Sequence, residues 1–347
     1  MLKPFSYIRA ESLGEAIKHL SSDDAKIHAG GTDLLGCLRD HIFDAAKVVS
    51  ISGINGLQGI TQDGSGGLRI GALTTITEVA EDPVIKRKYA ALGQAASEVA
   101  SPQLRNQGTI GGNICQKPRC WYYRGDFHCL RKGGNQCFAI GGENVFHCIF
   151  GGQDCFIVHP SDTAPALGAL EAKVRIEGPK GKRVVPLDDF FVLPADDFSR
   201  ETVLETGEIV TEIELPKPAS GLRSSYRKVR ARRSWDFALA GVALALVFEG
   251  ERVAKARVFL SGAAPVPWRC KEVEQIITGK KLDPDLIERA AEASVRNAQP
   301  MEQNEYKIPL FRAVIEEELK AAGVRRNGEA GSPGKESLNI KKNKEKK

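Results

Sequence analysis

Apolar residues recur in short runs along the first 220 positions, and each run predicts a brief element. Leu13, Ala16, Ile17 and Leu20 lie at helical spacing behind Ser12, with Glu15 three positions after that serine. This predicts an N-terminal strand followed by a capped amphipathic helix. "KVVSISGI" reads as a short apolar strand. The stretch "GLQGITQDGSGGLRIGAL" reads as a hairpin with "DGSGG" at its tip, and Thr75 or Thr77 opens the next helix. "KYAALGQAASEVAS" predicts a further helix running up to Pro102. "SDTAPALGAL" predicts a short helix, "AKVRIEG" a strand closed by the "GPKGK" turn, and "GEIVTEIELP" a strand ending at Pro216.

"PKPASGLRSS" breaks the pattern and marks a boundary. Beyond it, "YRKVRARRSWDFALAGVALALVFEGERVAKARVFLSG" reads as antiparallel strands. Two helical patterns, "DPDLIERAAEASV" and "PLFRAVIEEELKAAG", complete a smaller α+β unit. Between residues 112 and 162 the periodicity vanishes, and the chain becomes rich in glycine and cysteine instead.

Charge changes little in this picture. The chain of 347 residues carries a net charge of +5, and residues 325–347 supply all of it, with eight Lys/Arg against three Asp/Glu. The body is balanced, which argues against a nucleic-acid role, and the tail reads as solvated and disordered. No apolar run is long enough to span a membrane. The N-terminus has no apolar core ahead of a small-residue cleavage site, so the expected compartment is the cytoplasm.

Cysteine usage does change the picture. Six of the eight cysteines (115, 120, 129, 137, 148 and 155) fall between residues 112 and 162. In a reducing compartment such clustering points to metal or redox chemistry before structural disulfides. Cys37 and Cys270 stand apart and read as buried small residues.

Two glycine pairs, "IHAGGTDLL" and "QGTIGGNIC", can expose backbone N–H groups to phosphate, with Thr32 and Thr109 adding hydroxyls. A single pair is more often a tight turn, whereas two of matching style favour a ligand with two phosphates. Neither has the G-x-G-x-x-G spacing of a Rossmann site, and no phosphate-binding G-x-x-x-x-G-K-[ST] occurs.

Taken in order, "AGGTDL", "TIGGN", "PSD" and "YRKV…DFALAGVAL" resemble the FAD-binding subunit of the molybdenum hydroxylases, a group that includes xanthine dehydrogenase and the carbon monoxide dehydrogenase flavoprotein. The resemblance spans about residues 3–323. It implies an α+β fold, a vanillyl-alcohol-oxidase (PCMH)-type FAD-binding domain of two subdomains plus a C-terminal α+β domain of the CO dehydrogenase flavoprotein type. The expected divisions are 1–57, 58–218, 222–324 and a tail of 325–347. The resemblance assigns FAD contacts to Lys26, Ile27, His28, Ala29, Gly30, Gly31, Thr32, Asp33 and Leu34 in the pyrophosphate loop. Thr109, Gly111, Gly112 and Asn113 form the second loop. Asp162 matches an adenosine- or ribose-side carboxylate and Val210 an apolar contact near the flavin. Lys228 matches a flavin-contacting lysine, with Arg227 as competitor.

Simpler members place the "GGN" asparagine and the "SD" aspartate a few residues apart, whereas here 48 residues intervene between Asn113 and Asp162. The insertion, 114–160, is similar to loops in the flavin subunits of 4-hydroxybenzoyl-CoA reductase and the periplasmic aldehyde oxidoreductase, which bind a [4Fe–4S] cluster. By that likeness the ligands are Cys120, Cys129, Cys137 and Cys155, with Cys148 as runner-up and Cys115 as packing. Four thiolates suit a cubane. A bound cluster would also offset the ordering entropy of a segment with only scattered aromatics. Zinc is the competitor, although the C-x₂-C pairs of structural zinc sites are absent. His128 and His147 are further possible metal donors.

The sequence holds no nucleophile–base constellation, so the chemistry belongs to a cofactor. The expected function is electron transfer between partner [2Fe–2S] centres and an external acceptor through FAD, in a heterotrimer (or a dimer of heterotrimers) with a molybdenum-cofactor large subunit and a [2Fe–2S] small subunit. Export would require a signal-bearing partner. A free-standing FAD oxidoreductase and a metal-stapled binding module are the alternatives.

Overall fold

The computed structural model describes residues 2–324, so the expectation for the 325–347 tail lies outside the described residues. Three sheets organise the chain. Strands Ser6–Arg9 and Ala25–His28 flank Lys47–Ser50 in a parallel three-stranded sheet. Helix Leu13–His19 makes the crossover, started by Ser12, whose hydroxyl accepts from the Glu15 N–H at 3.2 Å. A five-stranded antiparallel sheet follows, in the order Ile60–Gln62, Leu68–Gly71, Ile209–Leu215, Lys173–Gly178, Gly181–Pro186. The hairpin tip is held by Asp63, whose Oδ1 accepts from the N–H groups of Ser65 and Gly67.

The next helix, Ile76–Glu81, begins at Thr75 rather than Thr77, in a full capping box with Glu78. The run expected as one helix up to Pro102 is shorter, Ala90–Ser97. Ala100, at φ +43°, turns the chain before a separate helix, Pro102–Gln107. Proline at the first helical position opens rather than closes an element here. Helix Thr163–Ala169 is wholly buried between the central strands of the C-terminal unit and the helices Ala90–Ser97 and Ile110–Ile114. Its Gly168 lies so close to Phe259 that a Cβ would sit 2.7 Å from that ring.

The C-terminal unit is a four-stranded antiparallel sheet ordered Trp268–Arg269, Arg252–Ser261, Ala240–Glu249, Leu222–Val229. It is backed by helices Lys271–Ile277, Pro284–Ala293 and Lys307–Val324. Alternate residues of its central strands, including Val242, Leu244, Leu246, Val258 and Leu260, meet Phe311, Ile315 and Leu319 in one core. No helix among the described residues is long and apolar enough to cross a membrane.

Residues 114–160 are irregular, apart from one helical turn at Trp121–Arg124 and a tighter one at Leu130–Lys132. Their aromatics, scattered in the sequence, meet one another in the fold. Tyr122 meets Phe127 edge-on at 5.0 Å between ring centroids, Phe127 meets Phe138 at 5.2 Å, and Trp121 meets Phe146 at 5.6 Å.

Candidate functional site

A cleft of about 1270 Å³ opens between the three-stranded sheet, the second glycine loop and the start of the insertion. That is larger than the roughly 300–1,000 Å³ of most small-molecule pockets and has room for an extended dinucleotide. Of the residues expected to contact FAD, Lys26, Ile27, Ala29, Gly30, Gly31, Thr32, Asp33, Leu34, Thr109, Gly111, Gly112, Asn113, Asp162 and Val210 border it, whereas His28 and Lys228 do not.

The two glycine loops are unlike each other. Among the described residues, no protein acceptor takes the N–H of Gly30, Gly31, Thr32 or Asp33. Gly31 has φ +72°, a conformation that glycine adopts without strain. This loop is a ready concavity for an anion. The second loop has spent its amides: Ile110 N–H donates to Thr74 O, Gly111 N–H to Ala72 O, Gly112 N–H to the Thr109 hydroxyl and Asn113 N–H to Thr109 O. The expectation of two matching nests is thus corrected to one nest facing a braced wall. The loops touch directly, since a Cβ on Gly30 would fall 2.0 Å from Gln107 O.

Lys228 is a buried support. Its ammonium, 1% exposed, pairs with Asp162 Oδ2 at 2.7 Å and donates to Glu98 O, while the Tyr226 hydroxyl donates to Asp162 Oδ1 at 2.7 Å. Burial pushes the Asp162 carboxyl above the usual carboxylate range, and Lys228 and Tyr226 pull it back down. Tyr226 was missed by sequence reasoning, although strand alternation puts residues 226 and 228 on one face. The same alternation sends Arg227 to the other face, where it meets Glu317 at 2.5 Å.

The insertion contributes charged groups to the cleft wall that sequence reasoning also missed: Lys117, Arg119, Arg124 and Arg131. Asp33, expected as a ligand contact, anchors them. It receives Arg119 at 2.9 Å, Arg124 at 2.8 Å and the Lys117 N–H at 2.7 Å. Glu201 receives Lys117 Nζ at 2.5 Å and Arg131 at 3.1 Å.

Behind this wall lies a second, small cavity bordered by Cys120, Cys129, Cys137 and Cys155, together with His147, Tyr122 and Phe138. The four expected thiols therefore share one cavity. Cys148, though buried, does not border it, and Cys115 packs on the main core. His128 does not border it either. Among the described residues, no three His, Cys, Asp or Glu side chains form an arrangement that could hold a metal ion. Burial raises Cys120 to about 12 and Cys155 to about 11, the latter against the pull of Arg131. All eight cysteines are free.

The outer end of the insertion is clamped by the C-terminal unit. Asn144 exchanges hydrogen bonds with Gln303, Asn304 donates to the carbonyls of His147 and Cys148, and the buried Lys307 ammonium donates to Phe146 O, His147 O and Gly262 O. Burial lowers Lys307 to about 8.

Comparison with known proteins gives this geometry its context. Residues 3–218 match the family described as "FAD binding domain in molybdopterin dehydrogenase", and residues 224–320 match "CO dehydrogenase flavoprotein C-terminal domain". The chain is 35% identical to the aldehyde oxidoreductase FAD-binding subunit PaoB of Escherichia coli K12, over 92% of this chain and 99% of that one. It is 30% identical to the carbon monoxide dehydrogenase medium chain of Hydrogenophaga pseudoflava, over 94% and 99%. A solved carbon monoxide dehydrogenase from H. pseudoflava, which lacks the Mo-pyranopterin moiety of its molybdenum cofactor, superposes with a TM-score of 0.74 at 28% identity, over 93% of this chain and 98% of that one. With both matches running in register along one chain, and an anion nest in the cleft of the first, the protein belongs to the family of FAD-binding domains in molybdopterin dehydrogenases.

Proposed function

We infer that the chain is the FAD-bearing electron-transfer subunit of a molybdenum-containing hydroxylase or dehydrogenase complex, working between partner [2Fe–2S] centres and an external acceptor. The carrying observation is the cleft with its unspent amides at residues 30–33, inside a family match that covers most of the chain. FAD, when bound, supplies the redox chemistry by exchanging electrons singly or in pairs. The chain's residues do the holding. Gly30 to Asp33 offer N–H groups to the pyrophosphate, and the Thr109–Asn113 loop forms the facing wall. Asp162, steered by Lys228 and Tyr226, serves the ribose side, and Val210 gives apolar cover. The FAD-binding subdomains are assigned to 1–57 and 58–218, and the C-terminal domain to 222–324.

The insertion 114–160 is assigned a [4Fe–4S] cluster on Cys120, Cys129, Cys137 and Cys155. One observation supports this: Cys120, Cys129, Cys137 and Cys155 border one buried cavity, which His147 also borders with its Nε2 3.3 Å from the Cys120 sulfur. Four thiolates are what a cubane requires. The compartment assigned is the cytoplasm, where clustered cysteines serve metal or redox chemistry before disulfides.

The test is anaerobic purification of the chain with its partners, counting flavin, iron and molybdenum. About one FAD and four irons in this chain, with molybdenum in a co-purifying subunit, is the expected outcome. Substrate turnover by the isolated chain would reject the subunit assignment in favour of a free-standing oxidoreductase.

A further inference from the structure

Two side chains, Tyr123 and Arg131, border both the FAD cleft and the thiol cavity. They form the partition between the two spaces. Tyr123 is neutral, and burial pushes its hydroxyl far above the range in which it ionises. Arg131 brings a guanidinium cation to the partition. Its side chain is 2% exposed, with Nη1 donating to Glu201 Oε1 at 3.1 Å and Nη2 to Arg200 O at 3.2 Å. Its Nε–H is buried and has no protein acceptor. A buried orphan donor costs free energy, and such groups are rare in folded proteins unless something outside the chain completes them. The guanidinium and Cys155 border the same thiol cavity. Lys117 shares Glu201 with Arg131, so two cations face one carboxylate at the partition.

We propose that Arg131 sets how readily the thiol-held iron–sulfur group accepts an electron, with Glu201 as the counter-charge that moderates it. This rests on the cluster assignment for Cys120, Cys129, Cys137 and Cys155. One electron enters the group from an added low-potential reductant. No bond of the chain forms or breaks, and the new negative charge resides beside the guanidinium. A cation in a site of low dielectric favours that reduced form. A purely structural role, in which Arg131 staples the insertion to residues 200–201, would alter stability without altering the potential.

The experiment is a mediated redox titration of the full-length chain prepared anaerobically, followed by EPR, with iron and flavin counted in each sample. Arg131→Gln is expected to shift the cluster potential to more negative values, Glu201→Gln to more positive values, and Arg131→Lys to stay near wild type because it keeps the charge. An unmoved or raised potential in Arg131→Gln with iron retained overturns the proposal. If Arg131→Gln loses its iron, Glu201→Gln decides, and an unmoved or lowered potential there overturns it. Wild-type protein that holds flavin but gives no iron–sulfur signal removes the cluster assignment itself. That outcome is distinct from an intact cluster whose potential ignores residue 131.

Discussion

The side chains of Asn113 and Ser161, 48 positions apart, are joined by a hydrogen bond of 2.5 Å from the Ser161 hydroxyl to Asn113 Oδ1. Thr163 donates to the same oxygen at 2.6 Å. The insertion thus leaves and rejoins the domain at one point, and the base of the loop closes independently of what the loop binds. Asn113→Ala would remove the acceptor that two buried hydroxyls share at this junction and leave them only each other, a cost of about 1–2 kcal/mol. Urea denaturation should show that loss, and flavin retained after gel filtration should fall with it.

The Lys228–Asp162 pair is buried on both sides. Removing one partner of such a pair leaves an uncompensated charge and costs about 3–5 kcal/mol. Lys228→Met should therefore be severely destabilising alone. The double variant Lys228→Met/Asp162→Asn should cost clearly less than the two single changes added together, measured as a double-mutant cycle in denaturant.

Gly30 offers a sharper test of the cleft. A Cβ there would overlap Gln107 O at 2.0 Å, and that oxygen belongs to backbone that cannot swing aside. Gly30→Ala should push the two glycine loops apart. The expected outcome is a folded protein that has lost most of its yellow flavin absorbance, with far-ultraviolet circular dichroism largely preserved.

His159 gives the fold a pH dependence. It is buried against Phe191 at 4.6 Å between centroids, and burial lowers it from the usual 6.5 to about 4. Between those values the unfolded chain binds a proton that the folded chain refuses. Stability is therefore complete above about pH 6.5 and falls as pH drops towards 4, by about 3 kcal/mol in all. Denaturation midpoints across that range should show the slope, and His159→Gln should reduce it by its own share, since the buried His147 is also lowered to about 4 and keeps another.

The regular elements were legible because each carried a local signal: a capping serine or threonine, a glycine-rich hairpin tip, a two-residue alternation. The open glycine loop at residues 30–33 was legible for the same reason, since its glycines and its unpaired N–H groups occupy adjacent positions. What stayed hidden depended on distance. Asp33 looked like part of the phosphate loop, yet its carboxylate belongs to Arg119 and Arg124, 86 and 91 positions onward. The spent amides of the second loop could not be inferred from "TIGGN", because their acceptors include Ala72 and Thr74. Nor could the aromatic packing of the insertion, whose rings are spaced at no regular period. Lys228 against Arg227 was a different matter: strand alternation held the answer, with Tyr226 as the companion that shares the lysine's face.

The clamp formed by residues 302–307 also imposes an order of assembly on protein synthesis. Cys155 leaves the ribosome well over a hundred residues before Lys307, an interval of roughly ten seconds or more at ordinary translation speed. Until then the arginines of the insertion can already reach Asp33, whereas the carbonyls of residues 146–148 lack the Asn304 and Lys307 donors that hold them in the finished fold.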